Sequence, residues 1–154
     1  MTNKRGATLG GRLFYAHECK VRDVFAEYLS QLRPDERLIK KELRYSTAAR
    51  RVDMRTVDRA GTLREWEFKI YADHRTLGQL LIYLAHARRE HGFRPIRGVI
   101  AAFSIPEELR LAVEVMSLSI EFVTIPAWMR EAGSVPVAAN LNPVPTIFIQ
   151  RRTN

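Results

Sequence analysis

The chain has 154 residues, enough for one domain with its own core, and carries 25 basic against 17 acidic residues, for a formal net charge of +8. A chain of this size buries roughly 68–70% of its unfolded surface and needs no staple, and its one cysteine, Cys19, excludes an internal disulfide and any cysteine-built zinc site. No apolar run approaches the ~20 residues of a membrane span, and Met1-Thr-Asn-Lys-Arg5 lacks the apolar segment of a signal peptide, so the chain reads as cytosolic with no membrane role.

Of the 25 basic residues only five are lysines, leaving twenty arginines. The planar arginine fork suits phosphate contacts and so favours a polyanionic partner, although charge speaks of association rather than of fold.

Residues 1–11 are polar, contain three glycines and read as a flexible arm. From Arg12 to Leu32, Phe14, Val21, Phe25, Tyr28 and Leu32 recur at helical spacing, and Pro34 closes the segment. Glu18 falls inside that apolar stripe. A carboxylate there is costly unless paired, hydrogen-bonded or bound to a metal, so Glu18 is a functional acid, the partner of Arg22 or a rim residue.

Three strands are expected next, at about Arg37–Tyr45, Arg50–Asp58 and Leu63–Ile70, the last two joined as a hairpin around Arg59-Ala-Gly61. In the third strand Trp66, Phe68 and Ile70 alternate with Glu65, Glu67 and Lys69, which places the apolar set on the core face and the charged set on the other. The hairpin brings Asp53 close to Glu67 and Lys69. Two carboxylates and an ammonium at that range suit a hard divalent cation and an activated water. The same charges would also serve as a solvated edge face, cross-paired with Arg51 and Arg55.

A turn at Tyr71-Ala-Asp-His74 leads to a helix from about Arg75 to His91, ended by Gly92, with Gln79 and Tyr83 as i, i+4 neighbours beside its apolar stripe. Arg97–Phe103 is a near-continuous apolar run, as in a strand covered on both faces. Ser104-Ile-Pro-Glu-Glu108 has the makings of a helix start with Ser104 as cap, the helix running to about Met116. Ile120–Ile125 is a further strand. The prolines at 126, 136, 143 and 145 mark residues 127–145 as irregular, Trp128 reads as an exposed anchor for a partner, and Thr146–Gln150 reads as a terminal strand. The four histidines show no metal-ligand spacing and read as surface or capping residues, unless His74, just after the third strand, reaches a substrate.

The order of elements, Asp53, Glu67-Phe-Lys69 on the next strand and Gly78-Gln-Leu-Leu-Ile-Tyr83 on the following helix resembles the PD-(D/E)XK nuclease superfamily, in particular its RecB-like branch and the nuclease domain of NucS-type mismatch endonucleases. The resemblance runs from about Phe14 to Ile125, with Val52 in place of the proline that names the motif. It implies an α/β, restriction-endonuclease-like mixed β-sheet flanked by helices, in the order α-β-β-β-α-β-α-β, with a core over 12–126 and an extension over 127–154. It implies that Asp53, Glu67 and the Phe68 backbone carbonyl ligate Mg2+ or Mn2+, and that Lys69 orients or deprotonates the attacking water. Glu18 matches an acid carried on the first helix, and Gln79 and Tyr83 would support Lys69 or a nearby phosphate.

Arg51 and Arg55 flanking Asp53, with Lys40, Lys41 and Arg44 on the preceding strand, would make the mouth of such a site basic and able to follow a phosphate backbone. The function expected is metal-dependent hydrolysis of DNA that is branched, mismatched or of specific sequence. A nucleic-acid-binding subunit of the same fold and an RNA-cleaving nuclease are the alternatives. Cutting both strands of a duplex needs two sites, which a two-fold homodimer would supply most simply.

Overall fold

The computed structural model describes residues 9–46 and 49–132, with side chains from Tyr15 to Glu131. The expected terminal strand at Thr146–Gln150 lies outside the described residues.

Helix α1 (Leu9–Glu27) and a single turn α2 (Leu29–Leu32) precede strands β1 (Glu36–Arg44), β2 (Arg51–Asp58) and β3 (Leu63–Tyr71). Then come α3 (His74–His91), β4 (Ile96–Ser104), α4 (Glu107–Val115), β5 (Ile120–Thr124) and α5 (Trp128–Ala132). The five strands form one mixed sheet in sequential order. Its first half is antiparallel, as short connections dictate, and β3, β4 and β5 are parallel because α3 and α4 cross over between them.

The β2–β3 turn forms at Gly61, whose φ of +87° is the left-handed conformation glycine tolerates best, and Asp58 fastens it by accepting from the Thr62 amide at 2.9 Å. The cap of α3 is Asp73, in a reciprocal capping box with Thr76, and Gly92 ends the helix. Close packing of α3 depends on Gly98. A Cβ on Gly98 would stand 2.8 Å from a methyl carbon of Leu80, so only glycine lets the helix sit this near to β4.

Both faces of the sheet are covered. On one, Met54, Trp66, Phe68, Val99 and Ala101 pack with Val21 and Phe25 of α1 and Met129 of α5. On the other, Val57, Leu63, Ile100 and Ala102 pack with Leu80 and Leu84 of α3 and Leu109 and Val113 of α4. Phe25 meets Trp66 and Phe68 at ring-centroid distances of 5.4 Å each, which fixes α1 against β3.

Five expectations need correction. The charged face of β3 is not a solvated edge: β3 is the central strand, and Glu65 and Glu67 are buried beneath α3. Helix α1 already includes Leu9–Gly11, part of the expected arm. Ser104 ends β4 and does not cap α4, whose flanking position is Pro106. The stretch after Pro126 is helical at 128–132, and Trp128 is no exposed anchor, since its ring stands edge-on to Tyr28 at 5.2 Å.

Candidate active site

Beyond the Met54–Trp66 pair the ladder between β2 and β3 opens, and the Asp53 side chain fills the gap. Asp53 Oδ2 accepts from the Phe68 amide at 2.8 Å, so the acid is held by the strand that carries the other acid. The Phe68 ring lies on the opposite face, in the α1 core. Glu67 is 1% exposed and receives Lys69 Nζ at 2.8 Å, while its second oxygen, Oε2, is buried with no hydrogen-bond partner.

Glu18 reaches this place from α1. Its Oε1 accepts from the Ile70 amide at 3.3 Å and its Oε2 stands 3.6 Å from Lys69 Nζ. The structure thus removes the alternative of an ion pair with Arg22, which is bonded to Asp23 and Glu42. From α3, Gln79 Nε2 donates to the Tyr83 hydroxyl at 2.5 Å, and both side chains line the same cavity of about 390 Å³ as Glu18, Asp53, Glu67 and Lys69.

The charges in the cavity are mutually strained. Burial, and next the Asp53 carboxylate, push the Glu67 carboxyl up to about 8. Burial also raises Asp53, against the Phe68 amide that favours its charged form, and it raises Glu18 despite Lys69. For Lys69, burial opposes the ammonium, but Glu67 and then Glu18 and Asp53 outweigh it and hold it firmly charged.

Such a group of acids fits a divalent cation. An unpartnered buried carboxylate oxygen and two acids that resist joint ionisation are both relieved by a positive ion between them. Among the described residues no three His, Cys, Asp or Glu side chains form a protein cage for a metal.

Of the expected phosphate contacts, Arg44 and Arg51 line the cavity with Tyr83, whereas Lys40 and Lys41 are exposed on β1 outside it, Lys41 paired with Asp23 at 2.9 Å. Arg55 is a correction. Its acid partner Glu65 is itself fully buried and it donates to His91 Nε2 at 2.9 Å, so it serves the interior, with no exposed acid in front of it that could give way to a phosphate. Tyr45 completes that buried network by donating to Glu65 at 2.6 Å. His91 is accordingly more than a surface residue.

Tyr15, Cys19 and Ala49 also line the cavity and were missed in the sequence. Tyr15 is three residues before Glu18 and Cys19 is four after Tyr15, so the helical neighbours reached from that acid through Tyr15 were the available signal.

The chain matches no family model and no curated protein. Solved structures do match. A repair endonuclease from Pyrococcus abyssi aligns with a TM-score of 0.59 at 23% identity, over 71% of this chain and 47% of that one. EndoMS in complex with dsDNA aligns with a TM-score of 0.56 at 20% identity, over 82% and 49%. The chain shares their fold. EndoMS in its apo form gives the same result, with a TM-score of 0.54 at 19% identity over 71% and 47%. The chain therefore spans about half the length of each of these endonucleases. No helix among the described residues is long and apolar enough to cross a membrane.

Proposed function

We propose that this chain is the cutting unit of a metal-dependent DNA endonuclease of the PD-(D/E)XK type, acting on duplex DNA. The observation that carries the reading is the convergence of Asp53 and Glu67 beside Lys69, with a buried Glu67 oxygen left unpartnered and facing no other donor. The fold shared with repair endonucleases, one of them in complex with dsDNA, supports it.

In this reading Asp53, Glu67 and the Phe68 carbonyl hold Mg2+ or Mn2+. When bound, the ion supplies Lewis-acid relief of phosphate charge and activates water. The chain's own residues do the positioning. Lys69, kept cationic by Glu67 and Glu18, presents its ammonium where charge develops on the scissile phosphate. Glu18 fixes that ammonium from α1, and the Gln79–Tyr83 pair closes the cavity wall opposite it. Arg44 and Arg51 at the cavity receive the backbone.

The test is Asp53→Asn and Glu67→Gln. Each removes a ligand charge without removing the basic surface, so cleavage of duplex DNA in magnesium or manganese is abolished while duplex binding is largely kept. Calorimetric titration with manganese shows binding in the parent and none in the variants. Undiminished cleavage by either variant overturns the assignment.

A further inference from the structure

Beside the cavity, and sharing Tyr15 and Arg51 with its lining, stands a cluster built around Glu42. Glu42 of β1 lies between the pairs Lys41–Met54 and Leu43–Val52, hence opposite Asp53. Its Oε1 stands 3.3 Å from Arg22 Nη1 and 3.5 Å from Arg51 Nη2, and that same Arg51 nitrogen donates to the Tyr15 hydroxyl at 2.5 Å. One carboxylate oxygen therefore sits between two guanidiniums from different elements, α1 and β2, beside a phenol.

Glu42 is poorly suited to stay there. Its φ of +52° is in the left-handed region, which a residue with a Cβ adopts at a cost and which clusters at functional positions. Its side chain is 41% exposed, and both of its contacts are at the outer edge of hydrogen-bond range, whereas Arg22 holds Asp23 with two nitrogens at 3.0 and 3.1 Å. Arg22 is 5% exposed, so its guanidinium is a fixed, desolvated cation, while Arg51 reaches into the cavity. Two forks around one oxygen is how proteins receive phosphate.

We propose that Arg22, Arg51 and the Tyr15 hydroxyl form a second phosphate subsite, and that the Glu42 carboxylate occupies it in the free protein until a nucleic-acid phosphate displaces it. The ligand is the phosphodiester next to the scissile one. Arg51 is two residues from Asp53, about 7 Å along the strand, a distance on the scale of one nucleotide step. This inference rests on the endonuclease reading and adds to it a resting state in which the protein blocks its own phosphate contact.

The experiment measures the affinity of a short fluorescein-labelled DNA duplex in calcium, without cleavage, for the parent, Glu42→Gln, Arg51→Ala and the double variant. Glu42→Gln keeps the shape of the side chain and removes its charge. Glu42 is itself 41% exposed and both of its contacts are long, so the expected gain in affinity is about two- to fivefold. The gain disappears in the Arg51→Ala background, because no clamp is left to free. Unchanged or weaker binding by Glu42→Gln overturns the subsite, and so does a gain that persists without Arg51, which would be only the loss of a nearby negative charge. A parent that binds and cleaves duplex while Glu42→Gln shows no gain refutes the subsite alone; a parent that does not bind duplex refutes the endonuclease reading with it.

Discussion

A carboxyl group buried as deeply as Glu67 beside Asp53 prefers to keep its proton, and folding is linked to pH through that preference. Its folded pKa of about 8 lies above the ordinary value of 4.5. The stability it contributes is therefore fully present below about pH 4.5 and is lost as pH rises through about 8. Asp53 and Glu18 are raised in the same direction, and the elevated Lys69 acts only above the ordinary lysine range. Metal-free protein is expected to lose stability between about pH 5 and pH 8, on the order of a few kcal/mol. Urea unfolding across that window tests this. Glu67→Gln should flatten the decline, and saturating manganese should do so in the parent, because a cation replaces the proton. A decline of equal steepness in Glu67→Gln would show that the buried acid is not its source.

Among the elements, α3 has the narrowest tolerance, because Gln79 and Tyr83 reach the cavity only while Leu80 and Leu84 rest on Gly98. Gly98→Ala forces overpacking and should cost about 1–3 kcal/mol. Gly78→Ala, in open space on the same helix, should instead stabilise by up to about 1 kcal/mol. Thermal unfolding of the pair reads both signs, and a neutral Gly98→Ala would mean that the helix can lift without loss. The elements themselves were legible wherever a local rule fixed them. Alternation marked β3, the turn at Tyr71–His74 and Gly92 bounded α3, and the apolar run at 97–103 announced a strand covered on both faces, whereas the Asp73 capping box was not read. Glu18 was legible as an acid in the wrong place on a helix. The burial of Glu65 was not, because its partners Arg55 and Tyr45 come from other strands, and charge alone reads as solvent. Arg55 was misassigned for the same reason, and α5 was hidden by Pro126 and by having only five residues. Glu42 gave no signal, since nothing in its residue type marks a glutamate for a left-handed φ.

On the scale of the molecule, the net charge of +8 makes the proposed association with DNA a matter of counterion release. Binding in calcium should weaken by roughly 0.9 log units per log unit of salt for each phosphate neutralised. Arg51→Ala should flatten the slope by about one contact, whereas Arg55→Ala, which strands the buried Glu65, should cost about 3–5 kcal/mol of stability. A salt-independent affinity would remove the electrostatic account of binding. The topology also orders the assembly of the site in time. Asp53 and Glu67 belong to two strands joined by a four-residue turn, while Glu18 meets Ile70 across 52 positions of sequence and β4 joins β3 only after α3 has crossed over. Local pairings form before distant ones, since closing long loops costs entropy that only later contacts repay. The two mutually repelling acids are thus expected to be brought face to face early, in a hairpin still open to water, and the lysine's second anchor and the helix roof arrive afterwards. A nascent chain would meet the electrostatic cost of bringing these two acids together at the start of folding, where solvent screens it most.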